Sequence, residues 1–296
     1  MTPRFKVFYE RFIEAFGMDA IKIPATAVKF FKKDEHVPDE IWEYHPNEIT
    51  LTSCQAARQS FLGDVVCLSL ENIGCVAAAI TFGLVDENQV TPIGDSRVYT
   101  DIMRKQSGLG EQFVPPTPRD FTDGIVYACH DSGHHDFCLF GADDCGRFKT
   151  VEIAQKAIRE MTAIQPATTK AVFLFTPDFN DVAVEPDVIV LSPRPIELAR
   201  IVQAYHFSTG ERITGTMGAV RVVNSDLIVR PYLTHEINVS VYCVGARLIA
   251  QFGPNRMGMG MPYSKFREIV SAMEESKTGY PFHMYPGAVE ITETDV

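Results

Sequence analysis

Three cysteines sit in three separate apolar settings: Ser53-Cys54-Gln55, Gly74-Cys75-Val76 and Tyr242-Cys243-Val244-Gly245. Each lies at an expected helix start or beside a glycine, where backbone can approach a ligand closely. No two have the spacing of a local metal knuckle, so a joint role requires the fold to gather them from distant segments. Thiolates gathered in this way hold iron–sulfur clusters, usually four to a cluster. A helix N-terminus assists by lowering thiol pKa and by aiming N–H groups at anionic sulfur. The plain alternative is three small buried residues in well-packed helices, since free cysteine is among the most buried residue types. The C-x-x-C runs of ferredoxins are absent.

A second constellation is local. Residues 129–145 carry Cys129, His130, His134, His135, Cys138 and Cys145, with four acids among them. Cysteine and histidine together suit a tetrahedral zinc site. Their spacing, C-x8-C-x6-C, matches no standard zinc module, and a solvated loop is the plain alternative. His134 or His135 could also serve as the axial ligand of a haem or other tetrapyrrole, walled by the chain's many Phe and Met residues. Covalent c-type haem is excluded, because C-x-x-C-H does not occur. Cys54, with Arg58 one turn on, is a candidate nucleophile for which no histidine partner can be assigned. Gly253, Gly258 and Gly260 form neither a dinucleotide nor a P-loop fingerprint and read as a turn. Met257, Met259 and Met261 alternate there, as a strand or a wall for a flat ligand would.

The elements that must position these groups follow from periodicity and punctuation. Phe5, Phe8, Phe12, Ile13 and Phe16 recur at helical spacing before Gly17. A strand is expected at 27–31. Thr52 or Ser53 caps a helix ending at Gly63. A strand at 65–70 and a small-residue helix at 75–84 follow. Residues 86–149 are irregular and read as a long loop or insertion, a kind of segment that is more often functional than idle. Thr150 caps a helix over 151–164, and strands are expected at 171–175 and 187–191. Pro195 opens a helix stopped near Gly210. Strands at 218–223, 227–230 and 238–242, a helix at 262–273 and a strand at 288–291 complete the order. The succession of strand, capped helix, strand and cysteine in 27–84 has a looser echo in 187–253. A true duplication would set Cys75 and Cys243 facing each other across a pseudo-twofold axis.

Composition sets outer limits. A net charge of −11 argues against non-specific attraction to nucleic acid or anionic lipid. No run approaches the roughly 18 apolar residues of a membrane span. The first 17 residues mix charged with apolar side chains, unlike a signal peptide. Seven cysteines in a large domain do not read as a disulfide framework. The chain is expected to be soluble and cytoplasmic.

The motifs together resemble a known family. Pro24-Ala25-Thr26-Ala27-Val28-Lys29-Phe30, Cys54-Gln55-Ala56-Ala57-Arg58 and the Cys75 segment ending Phe82-Gly83-Leu84 carry the likeness in the first half. Pro186-Asp187-Val188-Ile189-Val190, Gln203-Ala204-Tyr205, Pro231-Tyr232-Leu233 and Cys243-Val244-Gly245-Ala246-Arg247 carry it in the second. In order and spacing these resemble the uncharacterised ArCR family, a domain of unknown function of archaea and anaerobic bacteria. The likeness covers residues 20–85 and 146–275. It implies no enzyme activity, but it implies a cysteine pattern suited to an anaerobe's metal or cluster site, with Cys54, Cys75 and Cys243 on three of its positions. Where the family carries a fourth cysteine this chain has Arg221, expected in a strand, buried or lining the pocket and in need of a counter-anion such as Glu71 or a cofactor carboxylate.

The expectation is therefore an α/β or α+β single domain over 1–296, with a mixed sheet and an insertion at 86–148. It would bind a cofactor, foremost an iron–sulfur cluster, with a redox partner protein. A tetrapyrrole, zinc, or a metal-free partner-binding surface stand as alternatives.

Overall fold

Period-two alternation with apolar residues on both sides demands a sheet covered on both faces. A computed structural model describes residues 5–16, 22–46, 51–88, 117–128 and 147–276. Its strands are β1 (Ala25–Lys32), β2 (Val66–Ser69), β3 (Thr169–Phe175), β4 (Val188–Leu191), β5 (Asn238–Ser240) and β6 (Gly258–Pro262), in the order β2-β3-β1-β4-β6-β5. Every ladder is antiparallel, the α+β form of the expected class. The sheet expected to be mixed is therefore antiparallel among the described strands, and a parallel pairing is seen in the isolated bridge between Leu51 and Ile73. Val28, Phe30, Val172, Leu174, Val188 and Val190 point to one face. Ala27, Phe31, Phe173, Phe175, Ile189 and Leu191 point to the other.

The described helices are α1 (Phe5–Glu14), α2 (Asp39–Trp42), α3 (Ser53–Leu62), α4 (Val76–Thr81), α5 (Pro118–Thr122), α6 (Val151–Arg159), α7 (Pro195–Thr209), α8 (Arg230–Thr234), α9 (Val244–Leu248) and α10 (Tyr263–Ser276). One face carries α1, α7 and α10. The Phe12 and Phe266 rings lie 5.3 Å apart there, and buried Arg200 donates to the Met273 carbonyl at 2.9 Å and to Ser276 Oγ at 2.7 Å. The other face carries α3, α4 and α9, and it holds Cys54, Cys75 and Cys243.

Two expected strands, 218–223 and 227–230, are instead joined in a π-helix, Val222–Val229. All eight of its residues are buried, and periodicity alone cannot tell a buried strand from a buried helix. The expected turn at 253–260 is in its second part β6. Met259 and Met261 fill the α1–α7–α10 face, while Gly258 and Gly260 face the π-helix. A Cβ at Gly260 would lie 1.9 Å from the Leu227 carbonyl oxygen, and one at Gly258 would lie 2.3 Å from Leu227 Cδ1. These glycines are what let the π-helix lie flush on the sheet. The expected strand at 288–291 lies outside the described residues.

Candidate functional site

Each of the three cysteines begins a helix. Cys54 is the second residue of α3, whose start is held by a reciprocal cap: Thr52 Oγ1 accepts the Gln55 N–H at 3.1 Å, and Gln55 Oε1 accepts the Thr52 N–H at 3.0 Å. Cys75 is the N-cap of α4, and Cys243 is the N-cap of α9. The sheet and its crossovers bring these three turns round one cavity of about 110 Å³, lined by all three thiols. Cys243 is buried, while Cys54 and Cys75 are part-exposed. The structure thus gathers residues separated by 21 and 168 positions along the chain.

The surroundings of the sulfurs differ. The neighbouring Cys243 thiol, more than burial, pushes the Cys54 pKa well above the ordinary value. Cys54 is in turn the largest influence on Cys243, whose pKa falls to about 6 against the opposing effect of burial. The nearby backbone N–H groups of Ala246, Val222 and Gly245 lower it further. The two shifts run in opposite directions, which favours Cys243 over Cys54 as the thiolate of the pair. Burial raises the Cys75 pKa, opposed by the Ala78 and Ala77 N–H groups and by the charge of Arg221. The fourth described cysteine, Cys67 on β2, points to the opposite face. Burial alone pushes its pKa to about 12, and it is a packing residue.

Backbone in the left-handed region holds this arrangement. Tyr242, directly before Cys243, has φ 68°, and Arg221, directly before Val222, has φ 58°. Both are non-glycine residues, for which this conformation is unfavourable and is kept only where the surroundings enforce it. The Tyr242 hydroxyl is anchored to Ser192 Oγ at 2.8 Å.

Arg221 lines the cavity and is 9% exposed. It is the N-cap of the π-helix rather than a strand residue. Its Nε donates to the Tyr127 hydroxyl at 3.0 Å and its Nη2 to the Phe121 carbonyl at 3.3 Å. The guanidinium lies over both rings, 5.4 Å from the Tyr127 centroid and 5.8 Å from that of Phe121. The expected pairing with Glu71 is not made, and no described carboxylate forms an ion pair with Arg221.

Cys129, His130, His134, His135, Cys138 and Cys145 lie outside the described residues. Tyr127 and Arg147, on either side of that segment, both line the cavity, and the Arg147 N–H donates to the Tyr127 carbonyl at 2.8 Å. Among the described residues, no three His, Cys, Asp or Glu side chains form a group that could hold a metal ion. Phe121, Tyr127, Arg147 and Asn224 are lining residues that escaped the reading of the sequence. The first three lie in or beside the stretch read as irregular. Asn224 had a signal, since Asn224-Ser225-Asp226 interrupts an otherwise apolar run.

A six-stranded antiparallel sheet with one thiol-lined cavity on a helical face defines an α+β protein with a candidate binding site. The chain matches the model of the family described as Uncharacterised ArCR over residues 21–272, and it belongs to that family. It is 25% identical over 129 residues to an uncharacterised protein of Methanocaldococcus jannaschii, covering 44% of this chain and 54% of the relative. The match thus spans about half the length of that curated relative. No solved structure matches the chain. Among the described residues, no helix is long and apolar enough to cross a membrane.

Proposed function

We propose that the protein is a cofactor-binding protein whose Cys54, Cys75 and Cys243 hold an iron–sulfur cluster. The observation that carries this reading is the convergence of three thiols from distant segments on one cavity. The donor set fits. Clusters take thiolate ligands and are tuned by hydrogen bonds to their sulfurs, and backbone N–H groups already point at Cys243 and Cys75. A cluster spreads its thiolates over several irons. It therefore needs them on a common wall rather than round a single point. Ligation would release the Cys54 proton, so affinity should rise with pH. A tetrapyrrole is a poorer fit, because a cavity of about 110 Å³ is small beside the ~300–1,000 Å³ of pockets for drug-sized ligands. The role proposed is redox or electron transfer with a partner protein.

The test is an absorption spectrum of anaerobically purified protein with iron and sulfide analysis. Broad absorption near about 400 nm with matching iron and sulfide supports the cluster. A sharp Soret band would replace it with a tetrapyrrole, and a colourless, metal-free protein would remove it.

A further inference from the structure

Two polar side chains on the cavity wall have bonding capacity that the protein leaves unused. Asn224 is 2% exposed and lines the cavity. Its Oδ1 accepts the Ser225 N–H at 3.1 Å, which directs the amide nitrogen the other way, and that nitrogen has no hydrogen-bond partner among the described residues. Arg221 stands three residues before it, beyond Val222 and Val223. Two of its nitrogens are satisfied by a phenol and a carbonyl, and its Nη1 has no described partner. A buried guanidinium needs an anion or a strong dipole. Arg200, also buried, shows how this chain supplies one: it meets the C-terminal end of α10, a helix of 14 residues. Arg221 meets no helix of that length: besides the Tyr127 hydroxyl it has the Phe121 carbonyl of α5, five residues long, whose dipole is slight.

From this geometry we infer that the cavity binds a small carboxylate, held by the free edge of the Arg221 guanidinium and by the Asn224 amide beside the thiols. A planar carboxylate matches the planar fork of arginine. The aromatic rings of Phe121 and Tyr127 flank that fork, and the cavity volume restricts the ligand to a few heavy atoms. The inference goes beyond the cluster reading and stands whether or not the thiols carry iron.

The experiment measures the thermal midpoint of the full chain against sodium formate, acetate, sulfate and phosphate at constant ionic strength made up with chloride. It is run on chelator-treated and on as-isolated protein, with iron measured separately. Formate or acetate should raise the midpoint saturably in both forms. Arg221→Gln and Asn224→Leu should each weaken the response by about tenfold or more, and Arg221→Lys, which keeps charge but loses the fork, by an intermediate factor. Circular dichroism confirms that each variant is folded, and Asn224→Leu decides the matter if Arg221→Gln is not. A response to sulfate or phosphate alone, no response to any anion, or an equal response in the folded variants overturns the inference. Absence of iron with a preserved carboxylate response removes only the cluster; iron without that response removes only this site.

Discussion

Four neighbours favour the ionised form of Cys243: the Cys54 thiol and the N–H groups of Ala246, Val222 and Gly245. Its reactivity should therefore separate from that of the other thiols. In iron-free protein, iodoacetamide labelling followed by mass spectrometry should show Cys243 reacting with a midpoint near pH 6. Cys54, Cys75 and Cys67 should need a far more alkaline pH. Cys54→Ala removes the largest of the four influences, so the Cys243 midpoint should move up. A midpoint unchanged in that variant would contradict the thiol–thiolate pairing. Stability carries the same sign. Cys243 has a folded pKa depressed to about 6 from an ordinary 9.0, so its contribution is present above pH 9 and is lost as pH falls through 6. Cys54 has a raised pKa, so its contribution is present below its ordinary 9.0 and is lost as pH rises beyond it. Denaturant midpoints of iron-free protein should rise from pH 6 toward 9 and then fall. The rise should vanish in Cys243→Ser.

At the scale of elements, two substitutions test what places the site. Gly260→Ala would drive a methyl into the Leu227 carbonyl. With backbone on the receiving side there is no flexible end to yield, so a loss of about 3 kcal/mol or more is expected. On the opposite face of the same strand, Met261→Leu should cost less than about 1.5 kcal/mol. Urea denaturation of the pair checks the contrast, and equal small losses would contradict the flush packing of the π-helix. Thr52→Ala removes the cap at the start of α3 and should cost about 1 kcal/mol. It should also loosen the Cys54–Cys243 bond, raising the labelling midpoint of Cys243.

These elements differ in how legible they were. Thr52, Thr150 and Gly210 announced helix ends correctly, because a cap is local chemistry that a few residues determine. The strands 25–32, 169–175 and 188–191 were legible from their apolar runs. The π-helix was not, because Val222-Val223 and Leu227-Ile228-Val229 are β-branched and apolar on every side, and only tertiary burial selects their helical form. The strand at 258–262 hid behind its glycines, whose purpose depends on Leu227, more than 30 positions away. Among site residues, the cysteines were visible by type and Arg221 by its departure from the family pattern. Phe121 and Tyr127 became visible only through the cavity they share, and Asn224 had only the polar break in its apolar run as a signal.

The whole molecule repeats its strand plan. In the order β2-β3-β1-β4-β6-β5, the first three strands and the last three occupy equivalent positions about the antiparallel β1–β4 ladder. β1 matches β4, β2 matches β5 and β3 matches β6. Each half places a cysteine-capped short helix directly after its outer strand, Cys75 after β2 and Cys243 after β5, both on one face. The helices after the inner strands differ: α3 packs on the cysteine face and α7 on the other. The cavity thus draws one capped cysteine from each half, with Cys54 from α3 as the third thiol. This symmetry explains how Cys75 and Cys243, far apart in the chain, come to one cavity, and it leaves Cys67 outside as an internal control. The most direct test is the iron and sulfide content of anaerobically reconstituted single variants. Cys54→Ser, Cys75→Ser and Cys243→Ser should each lose most of the cluster and its absorption near about 400 nm, while Cys67→Ser keeps both. A wild-type chain that takes up no iron, or a Cys67→Ser chain that loses as much as the other three, would contradict the account.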